Sequence, residues 1–113
     1  TPTGSTAYSL SGNGPIIEPN VKALTLMPMF AHSLNTSPLI VQESSKIDLK
    51  IIKRGQVGIS FDGHESCKLK NGDTVTIEVS EEKLQLLHPN DHDFYDACRT
   101  KLGWSLGVPK IEA

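Results

Sequence analysis

The first residues of the chain, Thr1-Pro2-Thr3-Gly4-Ser5-Thr6-Ala7-Tyr8-Ser9-Leu10-Ser11, gather hydroxyl groups around one glycine and beside one aromatic ring. A Ser or Thr hydroxyl both donates and accepts hydrogen bonds, Gly4 lets backbone approach a ligand closely, and Tyr8 offers a flat face with a polar tip. That set suits a polar, planar ligand of the nucleotide kind. The same composition also describes a plain surface connection, because loops favour these residue types for their own conformational reasons. The residues alone leave both readings open. They do exclude a P-loop, which needs a Gly-Lys-Ser/Thr ending to grip phosphates, and a Rossmann turn, whose glycine spacing is absent.

Other reactive side chains are more economically explained by structure. His88, Asp91 and His92 in His-Pro-Asn-Asp-His lie close in sequence, but Pro89 interrupts them and no Cys or further His stands at zinc spacing. A capped helix start with solvated polar groups is expected there. His32 falls in a connection after a strand and is expected to be a hydrogen-bonded structural histidine rather than a lining of a ligand cleft. Asp62 precedes Gly63, a pair that a hairpin turn requires, so a turn is preferred to a catalytic carboxylate. Cys98 occupies an apolar helical position with only Arg99 as a basic neighbour, which makes it a core thiol and not a nucleophile. Trp104 is expected to anchor the chain end by packing, or to be an interface residue, rather than a ligand-stacking platform, and Ser80-Glu81-Glu82-Lys83 to form a solvated turn.

The elements that must position these residues are legible to different degrees. The first twenty residues hold Pro2, Pro15 and Pro19 with Gly4, Gly12 and Gly14, so this stretch is expected as loop with one helical turn around Ala7 to Leu10. Ala23 to Met27, closed by Pro28, and Pro38 to Val41 have strand character, with 29–37 as their connection. Three alternating stretches follow: Ile47, Leu49, Ile51; Val57, Ile59, Phe61; and Val75, Ile77, Val79. Lys53 to Gln56, Asp62-Gly63 and Asn71-Gly72-Asp73 supply residues that tolerate positive φ, which predicts hairpins at all three places and an antiparallel meander. Strands with one polar side pack in layers, so a mainly β, antiparallel, sandwich-like domain is expected. Lys83 to Leu87 suggests one more short strand. From Asp91 the spacing of Phe94, Ala97, Cys98, Lys101 and Leu102 turns helical, with Asn90 or Asp91 as N-cap and Gly103 as the stop. Val108 to Ala113 is expected as a frayed tail.

Composition bounds the function classes. A chain of 113 residues suits one small domain with a thin core. Its 11 basic and 13 acidic residues are scattered and give a net charge of -2, with no basic cluster to neutralise a row of phosphates, so nucleic acid is not an expected partner. No apolar run approaches the ~20 residues of a membrane span, and no membrane partner is expected. Cys67 and Cys98 follow no disulfide-scaffold spacing and no secretory pattern is visible, so both are expected as reduced thiols of a cytoplasmic protein. The chain opens on Thr-Pro-Thr-Gly without an initiator Met, and Thr1 is expected to be a domain cut or a processed end.

The string TPTGSTAYSLS, then Gly14-Pro15-Ile16 and Leu26-Met27-Pro28-Met29-Phe30-Ala31-His32-Ser33-Leu34, resembles the signature region of NAD kinases of the bacterial, inorganic polyphosphate/ATP-dependent type. Phe61-Asp62-Gly63-His64, Asn71-Gly72-Asp73, Leu87-His88-Pro89 and Lys101-Leu102-Gly103-Trp104-Ser105 continue the similarity in the same order. The resemblance implies that the whole of residues 1–113 is the carboxyl-terminal, NAD-binding β domain of such an enzyme. Its activity would be transfer of the γ phosphate of ATP to the 2′ hydroxyl of the adenosine ribose of NAD, giving NADP. The implied partners are NAD and ATP, a divalent metal (Mg) that accompanies ATP in the complete enzyme, an amino-terminal α/β domain, and further copies of the same protein. The resemblance places dinucleotide contacts at Thr3, Thr6, Ala7, Tyr8, Ser9, Leu10 and Ser11, and one more at His64, where many members have Gln.

The departures matter as much. The family's Gly-Gly-Asp-Gly-Thr segment, which binds phosphate and supplies the aspartate that acts on the ribose hydroxyl, is not in this chain. Neither is the Asn-Glu pair that helps to hold the adenosine. No catalytic residue and no metal site is therefore expected among residues 1–113, and the chain alone is expected to be inactive. Ser37 replaces the usual Arg before Pro38-Leu39-Ile40. The alternative function is a non-catalytic β module that mediates oligomerisation.

Overall fold

The computed structural model describes residues 1–29, 37–52 and 54–105. The chain divides into two compact units, Thr1–Glu81 and the residues from Glu82 onward. The expectations for His32, and for the tail from Val108, fall outside the described residues.

In the first unit, a 3-10 turn over Thr3–Thr6 leads into a four-residue helix, α1, at Tyr8–Ser11. Strand β1 (Ala23–Leu26) pairs antiparallel with β2 (Leu39–Gln42), Ala23 opposite Gln42 and Leu26 opposite Leu39. Both lie within a residue or two of the stretches expected from their apolar runs. The fold is mainly antiparallel β with one short terminal helix, as the alternation implies.

The pairing of the later strands departs from a meander. Strand β3 (Ile47–Lys50) pairs with β6 (Thr74–Ile77), while β4 (Val57–Phe61) pairs with β5 (His64–Leu69). The β4–β5 hairpin is thus enclosed between two strands that are distant in sequence. Asp62-Gly63 makes the expected two-residue turn, with φ of 50° and 83° at its two central positions, the combination that matches strand twist. The hairpins expected between β3 and β4 and between β5 and β6 do not form, because neither pair of strands is joined. Asn71-Gly72-Asp73 carries the chain back beside β3. There the Gly72 N–H donates to the Ile51 carbonyl and the Ile51 N–H to the Asp73 carbonyl, both at 2.8 Å.

Side-chain matching explains why β3 selects β6. In the observed register Ile47 faces Ile77 and Leu49 faces Val75, so apolar groups meet on one side. On the other side Asp48 faces Thr76, whose hydroxyl donates to the Asp48 carboxylate at 2.6 Å. Both faces are satisfied at once. Strand β5 was not anticipated, because His64-Glu65-Ser66-Cys67-Lys68 offers no apolar alternation; the turn and the ladder to β4 form it instead. A register shift at Ile59/Ser60 bends that hairpin. The two ribbons together line an apolar cleft of about 680 Å³, with Leu49, Val75 and Ile77 from one and Val57, Ile59, Phe61 and Leu69 from the other.

Burial is sparse, in keeping with a thin core. Ile17 and Ala23 are the buried apolar residues described in the first unit, and among the described residues no side chain is below 2% exposure. In the second unit no strand forms over Lys83 to Leu87, where Leu84 is 88% and Leu87 95% exposed. Helix α2 spans Phe94–Leu102 and buries Cys98, as its spacing implies. Its N-cap is Asp93 rather than Asn90 or Asp91. The Asp93 carboxylate accepts from the N–H groups of Tyr95 and Asp96 at 2.9 and 3.3 Å, while a hydrogen bond from the His92 N–H to the Pro89 carbonyl holds the preceding residues in a turn. Gly103 ends the helix in the left-handed conformation, φ 69°.

Candidate functional site

The loop that carries the hydroxyls is held by its own backbone and by the segment that follows it. Within it the Ser5 N–H donates to the Pro2 carbonyl at 3.1 Å and the Ala7 N–H to the Gly4 carbonyl at 3.0 Å, while the Gly4 N–H donates to Thr1 Oγ1 at 3.1 Å. These bonds close the 3-10 turn and deliver the chain to Ala7, from which α1 begins. At its far end, the Gly12 and Gly14 N–H groups both donate to the Ser9 carbonyl, at 3.1 and 2.8 Å. Gly14 is buried there, and a Cβ on it would collide with Ser9 Oγ and stand 2.8 Å from the Ser9 carbonyl oxygen. Only glycine fits such an approach.

The structure sorts the expected dinucleotide contacts into two groups. Thr3, Ala7, Tyr8 and Ser11 are exposed, Tyr8 at 64%. Thr6, Ser9 and Leu10 are half-buried. The Thr6 hydroxyl donates to the Thr3 carbonyl at 3.4 Å, and Ser9 Oγ lies buried against Gly14 with no hydrogen-bond partner. The open side of the loop is therefore Ala7 and Tyr8, together with Thr3 and Ser11. His64 is also exposed, but at the start of β5, opposite Phe61 across the β4–β5 turn. No hydrogen bond joins it to the loop.

Two residues that shape this site were not distinguished in the sequence. Ser5 is 3% exposed. Its hydroxyl donates to the Pro2 carbonyl at 2.6 Å and accepts from the Ile17 N–H at 2.9 Å. Nothing in a run of hydroxyl residues marks which one turns inward, so the sequence carries no signal for Ser5. Gly14 belongs to a recognisable string, but its function as the seat for Ser9 needs the folded turn.

The remaining reactive groups behave as structural features. Cys67 is exposed and Cys98 buried, both as free thiols. The His88 and His92 rings stack with centroids 3.9 Å apart and planes 8° from parallel, which presents faces to each other rather than ring nitrogens to a common ion. Among the described residues no group of three or more His, Cys, Asp or Glu gathers as a metal site. Among the described residues, no helix is long and apolar enough to cross a membrane.

Comparison with known proteins adds three findings. NAD kinase of Chromohalobacter salexigens is 45% identical over 107 residues, covering 93% of this chain and 36% of that protein. NAD kinase of Legionella pneumophila is 48% identical over 106 residues, covering 92% and 36%. The chain thus spans about a third of the length of the relatives it matches. The crystal structure of yeast NADH kinase complexed with NADH superposes with a TM-score of 0.81 at 28% identity, covering 99% of this chain and 36% of that one. Residues 1–89 match the family model described as the ATP-NAD kinase C-terminal domain, and with most of its length so matched, the chain belongs to the ATP-NAD kinase C-terminal domain family.

Proposed function

We propose that this chain is the dinucleotide-binding part of a kinase that phosphorylates the 2′ hydroxyl of the adenosine ribose of NAD with ATP, giving NADP. The observation that carries this reading is the loop Thr3–Ser11. It is pinned at both ends and presents Ala7, Tyr8 and neighbouring hydroxyls on its open side. Such a surface can pack a ring against the planar part of a dinucleotide and satisfy ribose and amide groups beside it. The NAD kinase relatives and the NADH-bound yeast structure support that ligand class. His64 would add one polar contact from the β4–β5 hairpin. Transfer itself depends on positioning, metal and charge neutralisation. An amino-terminal domain of the longer protein would supply the aspartate and the phosphate-binding glycines, with the divalent ion arriving with ATP. Purified residues 1–113, given NAD and ATP, should form no NADP; formation at the rate of a complete enzyme would overturn the division of labour.

Tyr8 is the sharpest test. In the complete enzyme Tyr8→Ala should weaken NAD binding about tenfold, since stacking on an aromatic ring contributes roughly 1–3 kcal/mol, while Tyr8→Phe separates the hydroxyl from the ring. The melting temperature should barely move, because the side chain is largely exposed. Unchanged affinity, or a loss that only follows unfolding, would defeat the assignment.

A second reading, association of this domain with further copies, is favoured by the apolar cleft between the β3–β6 and β4–β5 ribbons. Sedimentation of the complete protein tests it directly: a monomer at high concentration would count against it.

A further inference from the structure

Ser5 is the loop residue that is almost fully buried, at 3% exposure, and unlike the buried but unpartnered Ser9 Oγ its hydroxyl serves as both donor and acceptor. Its acceptor bond spans twelve residues of chain, from the Ile17 N–H. Ile17 is itself 7% exposed, so this N–H has no access to bulk water and depends on the Ser5 oxygen. We propose that Ser5 is a positioning residue for dinucleotide binding: its hydroxyl ties the ligand-facing stretch from Thr6 to Ser11 to the returning segment at Ile17, without itself touching the ligand.

Two anchors hold that stretch from behind. One is the Ser9 carbonyl, which receives the Gly14 N–H at 2.8 Å; the other is Ser5 on Ile17. Thr6, Ala7 and Tyr8 lie between them. With both anchors present the exposed groups are arranged before a ligand arrives. Without the Ser5 hydroxyl the stretch retains the Ser9–Gly14 anchor and can pivot about it, so ordering must be completed during binding and affinity falls. Losing binding that is equal in ground and transition states raises KM and leaves kcat alone. The inference rests on the reading of the loop as the NAD surface.

The test uses the complete two-domain enzyme. Ser5→Ala should raise the KM for NAD about five- to tenfold with kcat little changed. The KM for ATP, whose phosphates the family resemblance assigns to an upstream segment, should stay as in the parent. Ser5→Cys keeps the shape with a weaker donor and acceptor, and should fall between the two. Val75→Ala, on the β3–β6 ribbon, serves as a control for lost stability and should leave the KM for NAD unchanged at a comparable drop in melting temperature. The proposal is overturned if Ser5→Ala leaves the KM for NAD unchanged, if both substrate KM values rise together, or if Val75→Ala raises the KM for NAD as much. Should Ser5→Ala not fold, Ser5→Cys decides alone: a raised KM for NAD supports the tie, and a parental value sinks it. Tyr8→Ala separates the two levels of argument. If it weakens NAD binding while Ser5→Ala does not, only the positioning role falls; if it too is without effect, the loop is not the NAD surface and both fall.

Discussion

Residues 1–17 and the ribbons over 47–77 invert the usual relation between regularity and packing. The first stretch has only a 3-10 turn and four residues of helix, yet Ser5, Gly14 and Ile17 are all buried within it. The second has four strands with clear pairing and clear alternation, yet every residue described there is at least partly exposed, and its apolar faces border an open cleft. Regular hydrogen bonding satisfies the backbone of a ribbon whether or not its face is covered. An irregular loop has no such ladder, so it keeps one shape only where specific groups interlock. That is why the surface proposed for the dinucleotide can be a loop and still keep one shape.

The largest expected effect comes from the irregular side. Gly14→Ala places a methyl group against Ser9 Oγ and 2.8 Å from the Ser9 carbonyl oxygen, which as backbone cannot swing aside, and should cost about 1–3 kcal/mol of stability as overpacking. It should also weaken NAD binding through the displaced loop. Denaturant unfolding and NAD titration of the complete enzyme measure both, and a neutral variant would show that the loop is not interlocked as described. Gly12→Ala is the milder companion, because the atoms met there are the far end of the Met29 side chain.

A smaller effect is expected on the regular side. Ile59 lies on β4 at the cleft and is half-buried, so Ile59→Ala should cost about 1 kcal/mol, below the ~2–5 kcal/mol of a fully buried isoleucine. A loss in the upper range would break the comparison, since it would mean that the cleft is covered in solution, and would favour the oligomeric reading. The smallest effect should come from Asp93→Ala, which removes an exposed helix cap worth about 0.5–1 kcal/mol. Amide exchange should accelerate over Phe94–Leu102 and stay unchanged in residues 1–81. Acceleration in both would show that the two units unfold together.

What sequence determines here follows from short-range physics. Alternation at Ile47, Leu49, Val57, Ile59, Val75 and Ile77 set strands because the side-chain period of a strand is two. Asp62-Gly63 set a tight hairpin because its two central residues need positive φ, and Gly103 stopped α2 for the same reason. The hydroxyl-rich loop, with the strings around it, carried enough detail to point to its family. Tertiary structure decided the rest. Strand β3 found β6 rather than its neighbour because Ile47 and Leu49 meet Ile77 and Val75 while Asp48 meets Thr76, a match across distant segments that no local window contains. Strand β5 arose from a ladder imposed on a polar sequence, and Asp93 became the cap because Pro89 to His92 are held in a turn that ends just before it. Among the hydroxyls of one loop, it was the Ile17 N–H, twelve residues away, that turned Ser5 inward and left Tyr8 and its neighbours on the surface.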